Sequence, residues 1–130
     1  ASQELSMIAG EGVTVSMVPH SVGSVRGAFA SVHAEMEAGE SELWRAFAKF
    51  YAGEPFIRVM QRGAYPNVKN VVGSNFADVG FSSDPSLPRA TGFAAIDNLV
   101  KGAAGQAIQC LNLMAGLDES TGLMFPPLSP

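Results

Sequence analysis

Cysteine is all but missing from this sequence: Cys110 is the only one in 130 residues. A lone thiol forms no internal disulfide, which excludes a disulfide-stapled scaffold and fits a reducing, cytoplasmic setting. Histidine is nearly as scarce, with His20 and His33 alone. Two imidazoles and one thiol, widely spaced, make no zinc signature, so no metal site is expected. No apolar run approaches the ~20 residues of a membrane span. The N-terminal ASQELSMIAG has neither the basic segment nor the long apolar stretch of a signal peptide. G-x-G-x-x-G and Walker A loops are lacking too, since GEGVTV leads into strand-like residues where such a loop would open a helix. No Ser-His-Asp arrangement can be argued from the spacing. A net charge of −4 argues against a general nucleic-acid binder.

What is present describes a folded domain. Hydrophobic residues make up 47% and charged residues 15%, a globular balance, and the length suits one domain with its own core. The charge is unevenly placed. Ala1 to Trp44 holds six acids and one base, Arg26, whereas Arg45 to Val72 holds five bases (Arg45, Lys49, Arg58, Arg62, Lys69) and one acid, Glu54. This reads either as a solvated face or as a docking patch for an acidic partner. The chain begins inside what reads as a helix, so a piece of a longer protein is expected.

Ser2–Ala9 reads as a short helix closed by Gly10 and Gly12. VTVSMV, Val13 to Val18, alternates and is β-branched, which predicts a strand. PHSVGSVRG is punctuated as a loop. Ala28 to Glu37 predicts a long strand whose small residues suggest a surface packed closely over it. Glu40 to Ala52 is the clearest amphipathic helix, with Leu43, Phe47 and Phe50 at i, i+4 and i+7 and a stop at Gly53. PFIRVM, residues 71–82 and TGFAAI predict further strands. SDPSLPRA reads as a turn, and the tail LMFPPLSP as extended. Strand pairs with no helix between them predict an α+β fold, a mixed or antiparallel sheet with helices on one face.

The most unusual stretch is IDNLVKGAAGQAIQCLNLMAG, Ile96 to Gly116. Gly102 and Gly105 within one turn each cost about 1 kcal/mol against alanine. Asp97 or Asn98 can cap the turn, and its first N–H groups are free for anions or carbonyl oxygens. The glycines accommodate either a flat cofactor ring or a close helix–sheet contact, and the residues alone leave both open. Cys110, between Ile108, Leu111 and Met114, reads as a core residue and not as a nucleophile. His33 reads as structural. His20, in a loop close to Arg26, either contacts an anionic ligand or makes loop hydrogen bonds.

IDNLVKGAAGQAIQCLNLMAGLDESTGL with its PLxP ending resembles the C-terminal part of N-acetyl-gamma-glutamyl-phosphate reductases. VPHSVGSVRGAFASVHA, YAGEPFIRV and VVGSNFADVGF match in order, so the resemblance covers essentially the whole chain. The wording is most similar to an archaeal and Thermus branch that acts on aminoadipyl or glutamyl phosphate held on a small acidic carrier protein. The resemblance implies a two-domain enzyme of lysine or arginine biosynthesis. An N-terminal Rossmann domain binds NADP, a cysteine takes the acyl group and releases phosphate, and hydride reduces the thioester to a semialdehyde. The second domain, similar to the C-terminal domain of glyceraldehyde-3-phosphate dehydrogenase, holds substrate and builds a homodimer or homotetramer through its sheet. Residues 1–130 would be that single domain.

Several family features are not found in this chain: the glycine-rich NADP loop, the nucleophilic cysteine and the His-Arg-His segment. Neither Cys110 nor His20 matches a catalytic position, so the chain by itself is expected to be inactive. The resemblance implies cofactor contacts at Asn98, Gly102 and Gly105. It implies substrate contacts at Arg26 and Lys101, which His20 would join from its place in the loop beside Arg26, and carrier docking at Arg58, Arg62 and Lys69. A stand-alone dimerisation or ligand-binding module, and an aspartate-semialdehyde-dehydrogenase-like domain with a similar DN-x-x-KGAA turn, are the competing readings.

Overall fold

The computed structural model describes residues 1–84 and 86–128. The elements run α1 (Ser2–Ala9), β1 (Ala28–Glu35), α2 (Glu40–Phe50), β2 (Ile57–Val59), β3 (Ala77–Asp84), β4 (Arg89–Ile96) and α3 (Gly105–Met114). A 3-10 turn at Val68–Asn70 and a π turn at Val100–Ala104 complete them. The strands form one mixed sheet in the order β1-β4-β3-β2. β4 runs antiparallel to both β1 and β3, and β2 runs parallel to β3.

Each join follows from local chemistry. β3 and β4 form a hairpin whose last pair is Asp84 opposite Arg89, and Leu87 N–H donates to Asp84 O across the turn. Of the predicted SDPSLPRA turn, Pro85 lies outside the described residues, as do residues 129–130 of the predicted tail. The parallel step from β2 to β3 needs a crossover. Residues 60–76 supply it and press on Gly80, where a Cβ would stand 2.9 Å from Pro66 Cδ.

Side chains alternate between the two faces of a sheet. The register puts Ala77, Val79, Phe81, Ala90, Gly92 and Ala94 on one face. α2 packs there: Leu43 and Phe47 meet Phe81 and Ala90, with the Phe47 and Phe81 rings 5.1 Å apart. The other face carries Phe29, Phe93 and Tyr65, with ring centroids 6.1 Å (Phe29–Phe93) and 5.3 Å (Tyr65–Phe93) apart. Phe56, Val71, Ala95 and Leu123 are buried as well, outside the cluster formed by Leu43, Phe81 and Ala90.

Three sequence expectations are corrected. Val13–Val18 is not a strand, because no strand lies beside it among the described residues. Its N-terminal part is tethered instead to α1, with Val13 N–H and Val15 N–H donating to Ser6 Oγ and Ser2 Oγ. The strand expected over 71–82 starts only at Ala77. Gly73 takes a positive φ of 77°, and Ser74 N–H donates to Val71 O, so residues 71–75 are turn. The surface expected over the small residues of β1 is not supplied by the described residues, since every residue of the strand is exposed. His33 Nδ1 lies 3.0 Å from Thr91 Oγ1 on the neighbouring strand.

Candidate functional site

The site is organised by Asp97, the first residue after β4, which is wholly buried. Its Oδ1 accepts from Leu99 N–H (2.8 Å) and Val100 N–H (3.1 Å), capping the turn that follows. Its Oδ2 accepts from Gly73 N–H (2.6 Å) and pairs with Arg26 Nη2 (3.0 Å). Burial pushes this carboxyl up. The three backbone donors and then Arg26 outweigh burial, and its pKa lies below the ordinary carboxylate value. The neighbouring residues are joined in the same way, for Asn98 Oδ1 accepts from Gly27 N–H at 2.7 Å. Arg26–Asp97 and Gly27–Asn98 thus fasten the loop before β1 to the turn after β4. Gly27 is required there. Its φ is +99°, and a Cβ would fall into Val68 Cγ1.

The turn itself is a π turn, wider than an α-helical one. Gly102 N–H bonds to Asp97 O, Ala104 N–H to Leu99 O, and Gly105 N–H to Val100 O, each five residues back. Such turns are frequent at functional sites. The two glycines have different causes. Gly105 is buried, and a Cβ there would lie 2.3 Å from Asn75 Oδ1 and 2.9 Å from Val100 O. Its close neighbour is internal. Gly102 is exposed, and a Cβ there would make only ordinary contact, 3.4 Å from Ile96 Cδ1. Asn98 is exposed beside it, with its amide oriented by the bond that Oδ1 accepts from Gly27 N–H. A bare backbone next to an oriented amide suits a flat ring bearing a carbonyl.

Lys101 points the other way. Its Nζ donates to Gln109 Oε1 (2.7 Å) and stands 5.3 Å from the centre of the Phe56 ring. Burial lowers its pKa, opposed by the charges of Glu119, Cys110 and Glu54. Gln109 also accepts from Asn75 Nδ2 (3.0 Å) and donates to Glu119 Oε2 (2.7 Å). Asn75 Oδ1 and Arg26 Nε are buried and have no hydrogen-bond partner among the described residues. Asn75, Gln109 and Glu119 were not legible as site residues, because their partners lie far off in sequence. The one signal was Gly105, Gln109 and Asn112 at i, i+4 and i+7, a polar line along an apolar helix.

The reading of Cys110 as a core residue is overturned: it is exposed. α3 buries that polar line, Asn112 donating to Glu119 O and Thr121 O, and so turns its apolar side outward. The structure therefore brings Arg26, Asn98 and Gly102 together around Asp97. His20 is exposed elsewhere in the loop, its Nδ1 3.1 Å from Val18 O. Arg58 is taken up by the fold, donating to the buried Asp78 (2.6 Å) and to Asn70 O (2.8 Å) and lying over the Phe76 ring. Arg62 and Lys69 are exposed. Among the described residues, no group of three His, Cys, Asp or Glu could hold a metal ion. Nor is any helix among them long and apolar enough to cross a membrane.

Residues 1–98 match the family described as semialdehyde dehydrogenase, dimerisation domain. The chain is 51% identical over 134 residues to a LysW-L-2-aminoadipate/LysW-L-glutamate phosphate reductase of Sulfurisphaera tokodaii, covering 100% of this chain and 38% of that protein. It is 45% identical over 130 residues to an N-acetyl-gamma-glutamyl-phosphate reductase of Pelotomaculum thermopropionicum, covering 98% of this chain and 38% of that one. Among solved structures, a probable aspartate-semialdehyde dehydrogenase from Pseudomonas aeruginosa aligns with a TM-score of 0.56 at 24% identity, over 69% of this chain and 27% of that chain. This last likeness concerns the fold alone. The chain spans 38% of the length of the curated relatives just described.

Proposed function

The chain belongs to the semialdehyde dehydrogenase dimerisation-domain family, and from that premise we propose that it is the C-terminal part of a two-domain, NADP-dependent acyl-phosphate reductase. Its substrate would be an aminoadipyl or glutamyl phosphate blocked at nitrogen, carried on a small acidic protein, and its product the semialdehyde. The observation that carries this reading is the 51% identity to the LysW-linked reductase, over a match that covers the whole of this chain.

The turn supports it physically. Gly102 offers a bare backbone on which a nicotinamide ring can lie, and the amide of the exposed Asn98, whose Oδ1 is held by Gly27, has its Nδ2 to donate to the ring's carboxamide. Bound there, the dinucleotide supplies the hydride. Arg26 holds Asp97, and Asp97 holds the turn, so the loop carrying His20 and Arg26 sets the position of Asn98. With a third of its side chain exposed, Arg26 also has surface left for an anionic group of the substrate. Gly105 and Lys101 support the turn from beneath. The assembly would be a homodimer or homotetramer.

The test is to purify the protein from its native gene and follow phosphate-dependent reduction of NADP by the N-blocked semialdehyde, with NAD in parallel. NADP reduction that requires both phosphate and semialdehyde supports the reading. A protein of 13.6 kDa with no dinucleotide-linked turnover overturns it.

A further inference from the structure

Beneath the π turn, polar side chains from three parts of the chain converge on one buried amide. Gln109, on the inward side of α3, accepts at Oε1 from Lys101 Nζ (2.7 Å) and from Asn75 Nδ2 (3.0 Å), and donates from Nε2 to Glu119 Oε2 (2.7 Å). The chemistry fixes its orientation. An ammonium only donates and an ionised carboxylate only accepts, so a neutral amide is the group that can face both at once. Gln109 Oε1 must then face Lys101. It draws Asn75 Nδ2 to the same point and leaves Asn75 Oδ1 toward Gly105, buried and with no hydrogen-bond partner among the described residues. Buried carbonyls are seldom left so. Here the unpaired oxygen follows from the bonds on Gln109, and it stands where a Cβ on Gly105 would fall.

Those bonds also depend on the shape of the turn. Lys101 and Gln109 are eight residues apart. In an unbroken α-helix such residues point roughly 80° away from each other, at 3.6 residues per turn. The π turn at Val100–Ala104 takes up an extra residue, and Lys101 comes round to the buried line of α3. A regular turn would carry Lys101 off that line and displace Asn98 and Gly102 with it. The bond from Lys101 to Gln109 therefore favours the wide turn over the regular one.

We propose that Gln109 is a positioning residue for the reductase: by accepting from Lys101 and Asn75 at one oxygen it holds the turn in its π form, and so sets where Asn98 and Gly102 meet the dinucleotide. This rests on the reading of Asn98 and Gly102 as the dinucleotide surface.

The test uses the full-length enzyme, with NADPH binding followed by fluorescence titration and the turn followed by hydrogen–deuterium exchange without dinucleotide. Gln109→Leu removes the acceptor and should raise the Kd for NADPH about tenfold. It should also speed exchange at the amides of Gly102, Ala104 and Gly105. Gln109→Glu keeps the acceptor but sets two carboxylates face to face, and should weaken NADPH as well. Adding Glu119→Gln returns a donor opposite that acceptor, and the double variant should recover both the Kd and the slow exchange. Asn112→Ala breaks other bonds on the same buried line, those to Glu119 O and Thr121 O. It should lower the melting temperature and leave the Kd unchanged. Asn112→Ala weakening NADPH as much as Gln109→Leu overturns the proposal, since the line is then merely structural. A double variant no better than Gln109→Glu overturns it too. NADPH that is weakened by Asn98→Ala but binds the Gln109 variants as it binds wild type sinks this inference and leaves the proposed function standing. No NADPH binding by the wild-type enzyme removes both.

Discussion

Asp97 does at one residue what several caps do elsewhere: it closes the turn after β4, anchors Gly73 and holds Arg26. Asp97→Asn keeps the shape but loses the charge that three N–H donors and a guanidinium address. We expect a loss of about 2 kcal/mol in denaturant unfolding, toward the low side for a buried pair because Arg26 is partly exposed. The pH dependence has a definite sign. Asp97's folded pKa is depressed, so its contribution is complete above an unfolded value of ~3.9 and is lost as pH falls through the folded pKa. The gap between wild type and variant should therefore close in acid. The two glycines should separate by substitution. Gly105→Ala puts a Cβ into Asn75 Oδ1 and should destabilise, although alanine is the better helix former. Gly102→Ala should leave the melting temperature unchanged or higher, and raise the dinucleotide KM of the full-length enzyme. An unchanged KM would remove Gly102 from the cofactor surface.

Among the elements, α2 was the most legible. Its i, i+4 apolar positions are the ones that meet Phe81 and Ala90, and Leu43→Ala should cost about 2–4 kcal/mol in chemical denaturation. α3 was legible as a helix and illegible in orientation. Hydrophobic periodicity places the apolar side inward, and here Gln109 and Asn112 take that side because Asn75, Lys101, Glu119 and Thr121 O satisfy their amides. The Val13–Val18 segment failed for a related reason. Alternation describes a strand's faces but not whether another strand lies alongside.

At the scale of the whole molecule, much apolar surface on the sheet waits for a neighbour. β1 is an edge strand exposed along its length, with Phe29 beside Phe93 and Tyr65 on one face. In a family described by its dimerisation, this face is where a second copy is expected. Phe29→Asp should shift the sedimenting species to a smaller one, whereas an unchanged distribution would place the contact elsewhere. The basic stretch divides in two. Arg58 is committed to Asp78, so the test of carrier docking belongs to Arg62→Glu with Lys69→Glu. That pair should slow turnover of carrier-bound substrate several-fold at low salt and little once the Debye length falls to about 3 Å near 1 M. Turnover unaffected at every salt concentration would count against docking there.

The sequence by itself determined the α+β class, the amphipathic α2, a turn within Ser83–Ala90 and the family, because each is written in local spacing or in contiguous words such as DNLVKGAAGQA. It also singled out the Gly102–Gly105 turn. It left open whether a cofactor or the protein's own packing removed those side chains, and folding answers differently for each. Gly105 yields to Asn75, thirty residues away in the chain and brought beside it by the sheet, whereas Gly102 faces outward. The same holds for α3 and Cys110. Which side of a helix is buried depends on the polar partners that wait beneath it, and those arrive only when distant segments come together.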